Sequence, residues 1–115
     1  MTRIFLIAAA LLGLVQLVGP AEAADVRMYV RHDVTDYAAW RKIYDAFDAE
    51  RRRLGVTAQA VYQSVDNPND VTVWHDFKTS EAAKAFASSP NLKNAMQNAG
   101  VKGPPQIWFV IQTDK

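Results

Sequence analysis

The chain has no cysteine. Disulfides and thiol chemistry are therefore excluded, and whatever domain it forms must stand on its core alone. Charge of one sign is lacking too. Thirteen Lys and Arg face twelve Asp and Glu, a formal net charge of +1. Nucleic acid, whose phosphates need a concentrated basic surface, is not an expected partner. Only two histidines occur, His32 and His75. No Ser-His-Asp order, glycine-rich phosphate loop or suggestive carboxylate pair is present.

No apolar run reaches the roughly 20 residues of a spanning helix. The longest, Ile4 to Val18, follows Arg3 and precedes Gly19-Pro20 and the small-residue triplet Ala21-Glu22-Ala23. Charge, apolar stretch and A-x-A in that order read as an export signal. Residues 1–23 are expected to be a signal peptide, with cleavage after Ala23 or its neighbour Ala24. No cysteine follows for a lipid anchor. Residues 24–115 then form one periplasmic or secreted domain with no membrane segment. A domain of this size buries only about 60–65% of its unfolded surface, so a dimer would help it.

Along that domain the hydrophobic period changes four times. Val26, Met28, Val30 and His32 alternate with Arg27, Tyr29 and Arg31, the period of a strand. Tyr37, Trp40, Ile43, Tyr44, Phe47, Arg51 and Leu54 recur at three- and four-residue steps, one face of a helix. Thr35 or Asp36 can cap its start and Gly55 its end. Residues 56–65 and 71–78 read as a hairpin about the turn formers Asp66-Asn67-Pro68-Asn69-Asp70. A second helical region begins near Thr79-Ser80 and restarts at Ser89-Pro90. Gly103-Pro104-Pro105 forbids its continuation, and residues 106–112 form a last strand. The order βαββαβ predicts an α+β, ferredoxin-like fold: a four-stranded antiparallel sheet with both helices on one face.

The other face of the sheet must also meet something. Val71, Val73, His75 and Phe77 oppose Trp74 across one strand, and Ile107, Phe109 and Ile111 oppose Trp108 and Val110 across another. Strands apolar on both sides predict a second layer, most simply a second copy. Two sheets face to face can enclose a cavity.

The ordering RHDV, DYAAWRKIYDAF, VWHDFKTSEAAKAF and SSPNLKNAMQNAG resembles the dimeric α+β barrel superfamily, which includes the antibiotic-biosynthesis monooxygenase family. The resemblance spans the whole of residues 24–115. It implies a homodimer whose cavity takes a small apolar or aromatic molecule, with monooxygenase-like chemistry that needs no cofactor or metal. Haem-degrading members carry an asparagine, a tryptophan and a histidine where this chain has His32, Phe77 and about Ala87. All three depart from the pattern, and haem degradation is not expected. Cofactor-free members favour aromatic and arginine side chains in the cavity, a description that Tyr29, Arg31, Tyr62 and Trp74 fit.

With Val30 beside Val73, the two histidines stand four residues apart along neighbouring strands, roughly 13 Å. One metal ion cannot bridge that distance. Each is expected to act alone: His32 as a base or hydrogen-bond donor at a strand end, His75 as a neutral ring in apolar company that polarises a ligand. The competing reading makes His32 a tie to the following loop and His75 a satisfied core residue. The candidate site is thus His32 and His75 as catalytic groups, with Arg31, Trp74, Phe77, Tyr29 and Tyr62 against the ligand. Trp40, Tyr44 and Phe47 follow helical spacing and read as core. Arg51-Arg52-Arg53 reads as a solvated helix end, with an anion site as the alternative.

Overall fold

The computed structural model describes residues 25–114. The expected export signal, residues 1–23, lies outside them. Strand β1 (Val26–Val34) is followed by helices α1 (Tyr37–Ala46) and α2 (Asp48–Arg53). Strands β2 (Ala58–Gln63) and β3 (Asp70–Phe77) form the hairpin. Helices α3 (Ser80–Ala87) and α4 (Pro90–Asn98) lead to β4 (Val101–Ile111). The sheet order is β2-β3-β1-β4, with every neighbouring pair antiparallel. This is the ferredoxin-like architecture the sequence predicts. Among the described residues no helix is long and apolar enough to cross a membrane.

The helix starts follow from short oxygen-bearing side chains. Asp36 accepts from the Ala39 N–H at 3.0 Å, Thr79 from Ala82 at 3.1 Å and Ser89 from Leu92 at 3.3 Å. Each answers a donor that the first helical turn leaves free.

Two elements differ from the sequence reading. The single helix expected from Asp36 to Leu54 is broken at Phe47, whose φ and ψ are −87° and 4°. There the Tyr44 carbonyl accepts from both the Phe47 N–H and the Arg51 guanidinium, a side chain competing for a helical acceptor. The last strand begins at Val101 rather than 106. Gly103-Pro104-Pro105 bulges within it: Arg31 pairs with Gln106, whereas Asp33 pairs with Lys102. Two prolines offer no N–H to the ladder, so the strand bows out there and resumes.

Register places the side chains. Val30 stands opposite Val73, His32 opposite Val71 and Met28 opposite His75. Val26, Met28, Val30, His32 and Val34 face the helices together with Val71, Val73, His75 and Phe77, and all are buried. Met28, Val34, Val71 and Phe77 are wholly so. Period two on two adjacent strands thus supplies the floor of the core, and Trp40, Tyr44, Ala83, Phe86 and Leu92 from the helices supply its roof.

The opposite face is not uniformly apolar, as the strand composition had suggested. A row of rings crosses it, with Trp74 paired to Tyr29 and Tyr29 to Trp108. Tyr29 and Trp108 are stacked at 5.3 Å. Two bidentate ion pairs flank the row, Arg27–Asp76 and Arg31–Asp70, each closing to 2.7 Å. The Arg27 guanidinium also lies 3.6 Å over the Trp74 ring. Trp108 and Tyr62 remain 42% and 53% exposed, so aromatic surface on this face stays available.

Candidate functional site

A cavity of about 50 Å³ lies between the sheet and the helices. Both histidines line it, from neighbouring strands, with Met28, Val30 and Val73 between them. Trp40, Tyr44 and Arg51 cover it from α1 and α2, and Phe86, Leu92 and Met96 from α3 and α4. The sequence reading had placed the pocket between two facing sheets. The histidines turn the other way, because they share strand parity with the buried valines.

His32 sits at the bulged end of β1, 7% exposed. Its ring lies 5.6 Å from that of Trp40. Neither ring nitrogen has a hydrogen-bond partner among the described residues. Burial pushes its pKa down to about 4, against the opposing pull of the Asp33 and Asp70 carboxylates.

His75, 4% exposed, is held more firmly. Its Nε2 is 3.0 Å from the Tyr44 hydroxyl, and its ring meets Phe86 edge-on at 5.4 Å. Nδ1 is buried without a partner among the described residues. Burial, then the Arg51 charge, push the His75 pKa down to about 3, with Asp76 opposing. Both imidazoles are therefore neutral at pH 7. Neutral imidazole carries one donor and one acceptor, so three buried nitrogens have hydrogen bonds to offer that no group among the described residues answers.

An aromatic ladder connects the two. Trp40 stacks on Tyr44 at 4.8 Å, and the Tyr44 ring lies 6.0 Å from that of His75. Arg51 closes the far side. It is 2% exposed, with its guanidinium 3.6 Å from the Tyr44 ring centroid. Burial lowers its pKa, and the nearby Tyr44 and Asp48 oppose the shift.

The predicted site residues do not converge. His32 and His75 share the cavity. Phe77 lies on the same side of the sheet but deeper, wholly buried and 5.4 Å from Phe86. Tyr29, Arg31, Trp74 and Tyr62 lie on the opposite face. There Trp74 donates to the Tyr62 hydroxyl at 3.3 Å, and Arg31 is engaged by Asp70. The sheet itself separates these four from the histidines. Sequence reasoning missed Tyr44 and Arg51 as cavity groups. The signal was there: Arg51 falls four residues after Phe47 on the apolar face of the helix, where a solvated arginine does not belong. Arg52 and Arg53, at 68% and 64% side-chain exposure, are the solvated pair.

Size bounds what the cavity can hold. About 50 Å³ is below the roughly 150 Å³ that admits benzene and far below the roughly 300–1,000 Å³ of drug-sized pockets. A solvent-open groove of about 650 Å³ runs between α4 and β4, and Leu92 and Met96 belong to the walls of both spaces. Among the described residues no group of three or more His, Asp or Glu is placed to hold a metal ion.

No family model and no curated protein matches the chain. Solved structures do. A candidate antibiotic biosynthesis monooxygenase from Bordetella bronchiseptica superposes with a TM-score of 0.69 at 16% identity, over 78% of this chain and 98% of its own. SnoaB, a cofactor-independent oxygenase from Streptomyces nogalater, gives 0.67 at 13% identity, over 81% and 97%. A candidate antibiotic biosynthesis monooxygenase from Nitrosomonas europaea gives 0.65 at 17% identity, over 78% and 91%. At these identities the likeness speaks for architecture, and the chain has the fold of the antibiotic biosynthesis monooxygenase-like proteins.

Proposed function

We propose that this chain is an exported, homodimeric, monooxygenase-like protein. It takes a small apolar or aromatic molecule into the space formed when the cavity between sheet and helices opens, at Leu92 and Met96, into the groove beside it, and works without a metal or organic cofactor. One observation carries this reading. Three imidazole nitrogens are buried in an apolar cavity with no partner among the described residues. An unanswered buried polar group costs about 1–3 kcal/mol, so a core that keeps three of them has a use for them outside its own packing. An oxygenase among the structures of the same fold supports the same direction.

The depressed basicity assigns the histidines a role. Bases with pKa values of about 4 and 3 are too weak to abstract protons well at pH 7. As neutral rings they orient and polarise a bound molecule through hydrogen bonds. Entry is by the groove between α4 and β4, with Leu92 and Met96 moving aside. The aromatic row of Tyr29, Trp74 and Trp108 is the surface on which a second copy seats. The test is turnover: the protein is incubated with dioxygen and a panel of phenols and indoles, and products are read by mass spectrometry. Oxygenated product from the wild type but not from a folded H32A/H75A variant is expected. Equal ligand affinity and turnover in that variant sink the assignment.

A second reading, a non-catalytic ligand-binding domain, is favoured by the small volume of the cavity. It gives a tryptophan-fluorescence response to the same compounds with no product.

A further inference from the structure

Arg51, Tyr44 and His75 touch in sequence at one end of the cavity, and their contacts determine where one proton sits. The Arg51 guanidinium covers the Tyr44 ring at 3.6 Å and donates to the Tyr44 carbonyl. It is itself anchored by Gln59 Oε1 at 2.9 Å and Asp48 Oδ1 at 3.2 Å. Tyr44 is thus gripped by its ring face and its backbone. Its hydroxyl meets His75 Nε2 at 3.0 Å, and His75 Nδ1 is buried without a partner among the described residues.

Two arrangements of that hydrogen bond are open. In one, the Tyr44 hydroxyl donates to Nε2 and the imidazole proton sits on Nδ1. In the other, Nε2–H donates to the phenolic oxygen. The second leaves a phenolic hydrogen and the Nδ1 lone pair both unanswered in a buried place. The first leaves only Nδ1–H. Fewer orphaned groups means lower free energy. Charge favours the same choice. A cation against the ring strengthens the phenol as a donor and opposes positive charge on the imidazole. Asp76, beside His75 in sequence, opposes this more weakly than Arg51 acts, because it points to the opposite face and pairs with Arg27. Asp45 is occupied by Arg41 on the surface.

We infer that Arg51 is a positioning residue that, through Tyr44, holds neutral His75 with its proton on Nδ1. The cavity is thereby offered a hydrogen-bond donor at that end, suited to an acceptor oxygen such as a ketone carbonyl or a phenolate. The use of the donor rests on the cavity being a ligand site; the position of the proton does not.

The experiment is long-range ¹H–¹⁵N correlation of the imidazole rings in ¹⁵N-labelled protein at pH 7. A pyrrole-type Nδ1 and a pyridine-type Nε2 are expected for His75, in about tenfold excess over the other tautomer. Histidine free in water prefers the opposite form. Y44F should return His75 to the Nε2–H form. R51M should lower the Nδ1–H excess severalfold, and R51K should restore part of it. Wild-type His75 with its proton on Nε2 overturns the inference, as does R51M indistinguishable from wild type. If R51M does not fold, R51K and Q59A carry the test. R51K replaces the guanidinium with an ammonium and Q59A removes one anchor of the guanidinium; both keep the positive charge, and each should show intermediate tautomer ratios; ratios unchanged from wild type in both overturn the role of Arg51. Acetophenone and ethylbenzene then separate the two claims. A downfield shift of Nδ1–H with acetophenone alone supports both. The expected tautomer with no response to either compound supports the Arg51 assignment and overturns the ligand reading of the cavity.

Discussion

The hydroxyl of Tyr44 lies 3.0 Å from Nε2 of His75, joining α1 to β3 across 31 residues of chain. It is the hydrogen bond the buried His75 ring makes within the described protein, since Nδ1 makes none. Replacing Tyr44 with Phe keeps the stack on Trp40 and removes only the hydroxyl, leaving Nε2 unanswered. We expect Y44F to lose about 1–3 kcal/mol of stability, measured by urea unfolding. A loss below a few tenths would mean that the hydrogen bond is not formed in solution.

Stability should fall on mild acidification. An unfolded histidine titrates near 6.5, whereas burial holds His32 at about 4 and His75 at about 3 in the folded state. Between those values the unfolded chain binds more protons than the folded one, so stability rises with pH and is fully present above about 6.5. As pH drops towards 4 it is lost, with a slope approaching about 1.4 kcal/mol per pH unit for each histidine. Glu50, held down to about 2 by Arg53 and Asn91, acts in the same direction only at lower pH. Urea midpoints measured from pH 7.5 to 4.5 check this. H32L should remove about half the slope, and a wild-type profile flat between pH 6.5 and 5 would contradict the burial of both rings.

H32L carries a second expectation. His32 makes no hydrogen bond to the described residues through either ring nitrogen, so an apolar side chain of similar size should be tolerated or stabilising, by up to about 1 kcal/mol at pH 7. A stability gain with lost ligand response marks a residue kept for function. A loss above about 2 kcal/mol would show that His32 is structural.

Gly100 and Gly103 offer a matched pair. Both have positive φ, 82° and 69°. A Cβ at Gly100 would come within 2.5 Å of the Thr35 hydroxyl, where the Gly100 carbonyl also accepts the Thr35 N–H at 3.0 Å; at Gly103 it meets open space. G103A should cost about 1 kcal/mol, the strain of the left-handed backbone alone. G100A should cost clearly more, because steric overlap adds to it. Thermal unfolding of the two variants side by side decides this, and equal costs would argue that the Thr35 contact yields freely.

The exposed aromatic row gives the assembly prediction. Trp108 stacks on Tyr29 in the middle of the uncovered sheet face. Analytical ultracentrifugation should find a dimer, and W108E, which places a carboxylate in that row, should yield a folded monomer. A monomeric wild type at tens of micromolar would leave the face without its proposed partner.

The element order was legible because each element announces itself within a few residues. Alternation marked β1 and β3, oxygen caps marked α1, α3 and α4, and Pro68 with its polar neighbours marked the hairpin turn. The assumed pairing of Val30 with Val73 is the observed register, since a slip of one residue would turn every valine to the wrong side. The start of β4 was not legible. Gly103-Pro104-Pro105 reads locally as a break, and only the ladder from β1 draws those residues into a strand.

The site was legible in part. Strand parity alone places His32 and His75 on one face, and it separates them from Tyr29, Arg31 and Trp74. Which of the two faces the helices cover is set by how the crossovers pack, and that is a long-range outcome. Tyr44 and Arg51 carried a local signal, their helical spacing, but nothing local says that His75, more than twenty residues beyond Arg51, will meet them.

What the sequence determined by itself is therefore the set of elements, their faces and their pairing, because hydrophobic period and capping act between near neighbours. The tertiary structure alone decided that the histidines turn inward to a cavity, that one arginine of three is buried against a tyrosine, and that the open face carries paired charges around its rings. Those depend on which surfaces come together when the chain closes, and on a balance of burial and charge that no short segment contains.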